Sequence, residues 1–472
     1  MAYADVTPDA LAQMYASDVI SGFDIYKPEK LNVLFMRYGD QGASYFQLLR
    51  SLGFEKQVSL DTFGHYEDMR MHEVIINKSQ AAAPGAGVDL TIQLHEDSIK
   101  GAAAASTNKY YPRVYDTVMF KNEVIGYIVS ITWNDPEWDV VIRPNNVLDE
   151  IPQVEAAEEI IIISGQFAEG SGQPESALSG TWEYDNDCQI IKETYGVTGS
   201  EMTNQDWFNV TSMGMKIPAI YYKGQAEIDY RMALKIDGAL LFGKRVTNTA
   251  AVDLISGRLL KATEGLVPYT RRIGHEHAYS AGSFDVVDFD DINLILDREN
   301  AGNYILSLLG IRLHTEIEDV LKAYFMDTNI NFTTKVVNDV LFKKNDSLGA
   351  TVNFKYLTKS ERTFLFKRMG NFSNPKTFGA DYSATVKYDM PSMGLCIPLN
   401  RRRDPKSNNM VESIGCRFKG LGKYNRRMEV WSVGGAGDGL KVTEFDTRDT
   451  YLRAHIGAHH RGGNQFVIID PS

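Results

Sequence analysis

The chain has little sulfur and no long apolar run. Its three cysteines, Cys188, Cys396 and Cys416, are far apart and odd in number. That suits a reducing compartment, excludes a disulfide framework and leaves no CxxC pair for zinc. The longest near-apolar run, residues 160–164, is far too short to cross a bilayer. The N-terminal stretch MAYADVTPDALAQMYASDVI has acidic residues but neither a basic start nor an apolar core, so it does not read as a signal peptide. Positive charge is also scarce: 49 Lys and Arg stand against 61 Asp and Glu, a net charge of −12. This argues against a general nucleic-acid binder, whose affinity comes from neutralising phosphates, although a local basic patch is still open to contact with DNA. Internal repeats, GxxxxGK[ST], GxSxG, a Cys–His nucleophile signature and a defensible carboxylate pair are all missing. No catalytic site is found this way, and no membrane segment, cofactor or resident metal is expected; the residues alone read as a large, aromatic-rich α+β protein.

The 472 residues are enough for a large core, and length alone gives a prior of about three domains. Hydrophobic content of 43% and charged content of 23% are ordinary for a globular protein. The 24 Tyr and 22 Phe are many, and aromatics concentrate in cores and at interfaces, which tilts the reading towards an assembling protein.

One stretch organises the rest. Residues 218–242 (PAIYYKGQAEIDYRMALKIDGALLF) predict a long helix, with Pro218 in its first turn and Gly243 as a left-handed stop. Tyr222, Ala226, Tyr230 and Ala233, closed by Leu240 and Leu241, predict its apolar flank. Lys223, Glu227 and Arg231 alternate in sign on another flank, at ~0.3 kcal/mol per pair. Such a helix spans roughly 37 Å. By itself the stretch reads as an ordinary core helix.

Before it, residues 8–23 and 30–50 read as helices, with Thr7 as a cap for the first. From residue 58 the pattern turns to strands. Those expected at 65–76, 88–94, 113–120, 123–133 and 138–143 are short and evenly spaced, with small-residue linkers at 79–87 and 99–108. They predict a small β-sandwich or barrel at about 80–165. After Gly243 the chain reads as loop to residue 279. Helices are expected at 289–297, 302–309 and 316–325. Strands are expected at 354–356, 383–388, 393–397, 413–418, 429–433, 441–445 and 465–469.

Candidate chemistry is thin. Residues 434–439 (GGAGDG) precede a strand-like LKVTEF, so they read as a hairpin turn rather than a phosphate loop. His455 and His459 would share a face if AHIGAHH were helical, and His275 and His277 would share a strand face. Each pair reads as surface or interface histidine before metal ligand. Asp285, Asp288, Asp290 and Asp291 read as solvated surface or helix capping. Arg401–Arg403 with Lys406, and Lys423, Arg426 and Arg427, are local basic clusters that read as solvated loops before DNA contacts.

Four segments together resemble the tailed-phage major capsid protein family, with its Hong Kong 97-type fold. NDCQIIKETYGVTGSEM is similar to the segment in which that fold's extended loop returns to the body, through Asn186, Gln189, Ile190, Val197, Thr198, Gly199 and Ser200. EIDYRMALKIDGALLFGKR resembles the end of the spine helix, and TEGLVPYT the segment that follows it. DTYLRAHIGAHHRGGNQFVII is similar to the closing segment, in which a strand or helix returns before a final strand. The resemblance covers roughly residues 180–472. Size, linkers and the inserted β unit also resemble capsid proteins of crAss-like gut phages.

The resemblance implies an α+β chain with a Hong Kong 97-type capsid fold: a long spine helix, an extended loop and an inserted small β-domain. Residues 1–57 would be an N-terminal arm, and 58–215 the extended loop carrying the insertion. Residues 216–283 would be the peripheral domain with spine helix 218–242, 284–400 the axial domain, and 401–472 the return to the peripheral sheet. The implied partners are further copies of the chain, as hexamers and pentamers in an icosahedral head, together with portal, scaffold or decoration proteins. Packaged double-stranded DNA would be in weak, non-specific contact. The implied location is the virion, after synthesis in the host cytoplasm. Two other readings stay open: another virion component such as a tail tube or sheath, and a metal-dependent β-rich enzyme using His275 and His277 or His455 and His459.

Overall fold

The computed structural model describes residues 44–68, 74–100, 109–174, 181–203, 209–212, 215–324, 335–336, 353–359, 361–373, 389–399, 402–403, 410–434 and 444–471. The helix expected at 8–23, most of that at 30–50 and the strand at 383–388 lie outside these residues. Contacts divide the chain into two units, Met1–Phe63 with Asp185–Ser472, and Gly64–Tyr184.

In the Gly64–Tyr184 unit, alternation of apolar and polar residues produces an antiparallel sheet. Its six strands run in the order Ile75–Ile76, Glu159–Gly165, Asp116–Met119, Ile125–Asn134, Glu137–Pro144 and Leu90–Gln93. Trp138, Val140 and Ile142 point inward at every second residue and meet Ile92, Ile128 and Ile160. Tyr110 packs edge-on against Trp138, with ring centres 4.8 Å apart. The sheet also draws in Ile75–Ile76, from outside the expected 80–165 span.

The other unit has two large sheets. One is six-stranded, ordered Glu55–Val58, Ile414–Leu421, Thr447–His460 and Gln189–Thr198, with Tyr424–Asn425 on the second strand and Glu429–Gly434 on the third. Gln189–Thr198 pairs residue for residue with the closing strand, from Gln189 opposite Ile456 to Thr198 opposite Thr447. Glu429–Gly434 pairs antiparallel with the same strand; of GGAGDG only Gly434 is described, so the expected hairpin turn lies outside the described residues. Of the strand expected at 441–445, Glu444 and Phe445 are described, and they form a bend.

The second sheet has seven strands, ordered His275–Tyr279, Val467–Pro471, Gly394–Pro398, Tyr304–Leu309, Arg362–Arg368, Asn353–Lys359 and Lys335–Val336. Residues 302–309, expected as helix, contain the strand Tyr304–Leu309 instead. Leu306 and Leu308 face the core around the long helix, while Ile305 and Leu309 face a second core under helices Val286–Arg298 and Ile311–Tyr324. A strand buried on both faces is a continuous apolar run, and its period is lost. Residues 266–279, expected as loop, form helix Leu266–Ile273 and strand His275–Tyr279.

The long helix runs Ala219–Phe242, 24 residues and roughly 36 Å. Three details differ from expectation. Pro218 lies before the helix and ends a strand, paired with Asn209. The buried stripe is Gly224, Ile228, Met232, Ile236 and Leu240, while Tyr230 and Ala233 are only half-buried. Of the expected flank, Leu240 and Leu241 are fully buried, and the side chains of Tyr222 and Ala226 lie outside the described residues; Ile and Met, less bulky but wholly apolar, take the sheet face. Glu227 and Arg231 are exposed, as the charge alternation predicts. Gly243 is not left-handed. It is glycine because an added Cβ would lie 2.5 Å from the carbonyl oxygens of both Ala239 and Thr263. A Cβ at Gly224 would likewise run into the Tyr195 ring, so that glycine lets the helix settle onto Gln189–Thr198. Lys235 bonds Glu193 of that strand at 2.5 Å.

Candidate functional site at the end of the long helix

Three segments singled out in the sequence meet where the long helix ends. Asn186, at the end of strand Thr181–Asp187, donates through Nδ2 to the carbonyls of Glu264 at 2.9 Å and Ala458 at 2.7 Å. Its Oδ1 accepts from the N–H groups of Glu264 at 2.7 Å and Asp187 at 2.9 Å. Thr263 is fully buried, and its hydroxyl accepts from the Ala458 N–H at 2.8 Å. The Gly265 N–H donates to the Gly243 carbonyl at 2.8 Å. One carboxamide has a donor and an acceptor in fixed geometry, so it ties two main-chain segments that no sheet joins. The Asn186 bonds to Glu264 and Ala458 and the Thr263 bond to Ala458 each link one stretch of main chain to another through a buried or partly buried side chain.

Beside this junction lies a charged network that sequence reading missed. Asp187 accepts from Thr62 Oγ1 at 2.5 Å and Arg245 Nε at 2.9 Å, with Lys261 3.7 Å away. Burial pushes its carboxyl up, but the Thr62 and Arg245 bonds outweigh that and hold it below the usual carboxylate range. Asp61 bonds Lys419, which holds its carboxyl low. His455 lies 3.6 Å from Asp61 and 3.2 Å from Arg426 Nη1. Burial, and then the Arg426 cation, lowers its imidazole below the ordinary histidine range. These partners are between 29 and several hundred residues apart, and sequence spacing carries no signal for them.

The other candidates are placed as follows. His455, His459 and His460 lie on strand Thr447–His460, not on a helix, and all three are buried. Extended backbone sends His455 and His459 to one face and His460 to the other. His459 packs on Phe63 and His460 on Tyr269. His277 bonds Asp288 at 2.9 Å, and His275 lies 3.4 Å from Glu299. Among the described residues no three His, Cys, Asp or Glu side chains group to hold a metal.

Asp285 caps helix Val286–Arg298, accepting from Val287 N and Asp288 N, while Asp288 returns a bond to the Asp285 N–H. The acidic stretch is therefore largely a capping box. Arg427 pairs with Glu55 at 2.7 Å and Arg426 is engaged by His455 and Glu429, so two of the three cations in the second basic cluster are spent within the fold, while Lys423 is exposed. Arg401 and Lys406 lie outside the described residues; Arg402–Arg403 pairs with Met410–Val411. All three cysteines are buried, and burial pushes the thiols up, to about 12 for Cys188 and about 11 for Cys396. No helix among the described residues is long and apolar enough to cross a membrane.

No family model and no curated protein matches the chain. Solved structures do. A chain of Microbacterium phage Oxtober96 is 8% identical, with 98% of this chain and 100% of that one covered at a TM-score of 0.41. A chain of Mycobacterium phage Bobi is 9% identical, covering 98% and 99% at 0.42. A chain from the capsid of a native GTA particle is 7% identical, covering 98% and 100% at 0.39.

Proposed function

We propose that this chain is the major capsid protein of a tailed bacteriophage, a structural, non-enzymatic subunit of the icosahedral head. The observation that carries the reading is the junction at the end of the long helix. The Asn186 segment, the Thr263–Leu266 segment and the closing strand resemble one family's segments in the same order. Here they are bonded to one another through Asn186 and Thr263.

On this reading Ala219–Phe242 is the spine of the peripheral domain, and the Gly64–Tyr184 unit is an insertion carried by an extended loop spanning 58–215. Residues 1–57 form the N-terminal arm, 284–400 the axial domain, and 401–472 the return to the peripheral sheet. Copies associate as hexamers and pentamers, and portal, scaffold or decoration proteins join them in the virion. The net charge of −12 limits non-specific grip on packaged DNA. A crAss-like origin would be a narrower identity and rests on the sequence resemblance alone.

Negative-stain microscopy of the purified protein tests the reading. Closed shells or hexameric sheets are expected. Helical tubes would favour a tail tube or sheath, and a persistent soluble monomer would overturn assembly altogether. Ala233→Pro, which breaks the helix interior at a cost of ~3 kcal/mol or more, should abolish shells.

A further inference from the structure

We propose that residues 250–261 form a preshaped apolar knob that docks on the outer face of helix Val286–Arg298 of a second copy of this chain. This rests on the capsid reading and names one of its subunit contacts. The knob is held by its own bonds. Val252 bridges to Leu259, Leu260 N donates to the Ala251 carbonyl at 2.8 Å, and Asp253 N donates to the Arg258 carbonyl at 2.8 Å. The Asp253 carboxylate accepts from Ser256 N at 2.8 Å and from its hydroxyl at 2.5 Å, and Gly257 turns the chain at φ 63°. This ordered turn holds Leu254 and Ile255 out at 99% and 97% exposure. An isolated aliphatic on a surface is unremarkable, but two adjacent ones held fully in water by a built turn mark a contact. Ordering costs on binding are low because the turn is already formed.

Helix Val286–Arg298 offers the matching surface. Val287, Asp291 and Leu294 recur at spacings of four and three, so they form one stripe, and all three are exposed. The two aliphatics are roughly 10 Å apart along the axis. Asp290 is committed to Lys359 and Asp297 to Arg362, whereas Asp291 meets no cation among the described residues. On the knob, Lys261 is committed to Asp187, whereas Arg258 meets no carboxylate among the described residues. The helix stripe thus presents two exposed aliphatics, and the knob presents Leu254 and Ile255 at its tip with Val252, Leu259 and Leu260 partly exposed behind them; each surface carries one unspent charge, of opposite sign. Both are exposed in the isolated chain, so they do not satisfy each other within it. A contact between different patches of identical chains is head-to-tail, the kind that closes into rings.

The test measures the concentration for half-assembly of the purified full chain by sedimentation and microscopy, with circular dichroism and thermal melting to check each fold. Arg258→Asp and Asp291→Arg should each raise that concentration about tenfold or more, and the double reversal should bring it back to within about threefold of the original. Ile255→Ser should also weaken assembly while leaving the melt unchanged. Shells from the original chain with undiminished assembly in Ile255→Ser and Arg258→Asp, as expected if another protein covers the knob, would overturn the docking alone. Single reversals that weaken assembly without mutual rescue would overturn the Arg258–Asp291 pairing. An original chain that forms no shells fails the capsid reading first.

Discussion

Asp237, fully buried in the middle of the long helix, accepts the Phe46 N–H at 2.7 Å and the Tyr45 N–H at 3.1 Å, so it caps helix Ser44–Ser51 from across the core. A carboxylate at a helix N-terminus satisfies orphan donors and opposes the positive end of the dipole. Asn371 Nδ2 adds a third bond to it at 2.7 Å. Asp237→Ala leaves those donors without an acceptor in a site closed to water. A loss of about 3 kcal/mol is expected, read as a lower urea midpoint. A midpoint unchanged from the original would contradict the capping role.

Asn186 joins segments far apart in sequence through bonds to Glu264 and Ala458. Asn186→Ala should cost about 2–3 kcal/mol. Asn186→Asp keeps one acceptor but sets a carboxylate oxygen against the Glu264 and Ala458 carbonyls, so it should cost at least as much as Asn186→Ala. Chemical denaturation of the three proteins gives the order directly.

Gly243→Ala sets a methyl group 2.5 Å from two carbonyl oxygens, an overpacking expected to cost about 1–3 kcal/mol. Gly257 has a left-handed backbone but open space around it, so Gly257→Ala should cost no more than about 1 kcal/mol. If the two variants lose equal stability, crowding is not what fixes glycine at 243.

His455 gives stability a pH dependence in a defined window. Its folded pKa is lowered, by burial first and then by Arg426, with Lys419 adding repulsion and Asp61 opposing it. In the unfolded chain the imidazole takes a proton near pH 6.5. Below that pH the unfolded state binds more protons, so stability falls as pH drops from about 6.5 towards the folded pKa. Above it His455 contributes no slope. Melting temperatures from pH 7.5 to 5 should decline less steeply in His455→Gln than in the original. Parallel profiles would refute the assignment. Asp61 and Asp187 are also held low, so their contribution is lost only at more acid pH, below the unfolded carboxylate range.

The three thiols should resist a neutral-pH thiol reagent in the native protein and react together once it unfolds, because burial raises each pKa and removes access. Fast labelling of one native cysteine would show that its surroundings open.

Period-2 alternation made the strands of the Gly64–Tyr184 sheet legible, and sustained helix-forming residues with no proline before Gly243 did the same for the long helix. Its buried face was not legible. Ile228, Met232 and Ile236 compete in the sequence with Tyr230 and Ala233, and only the sheet beneath decides between them. Tyr304–Leu309 misled because burial on both faces erases alternation; the closing segment is open in the sequence between strand and helix, and it is a strand. The junction was half legible. Asn186 and Thr263 stood out through resemblance, but the bonds between them are tertiary. Asp237 gave no signal, since an acidic residue in a helix ordinarily faces water.

The place of Val467–Pro471 between His275–Tyr279 and Gly394–Pro398 orders events during synthesis. The Gly64–Tyr184 unit is continuous in sequence and can fold while the ribosome is still making the rest. The seven-stranded sheet cannot close until residue 471 has emerged, because the strand inserted between those two is made after both. Contacts of such long sequence separation form slowly. Until then His275–Tyr279 and Gly394–Pro398 present open edges in a nascent chain, the state most exposed to mispairing. Premature association between growing chains is therefore the hazard that this topology creates, and one that chaperones of the cell making the protein would have to cover.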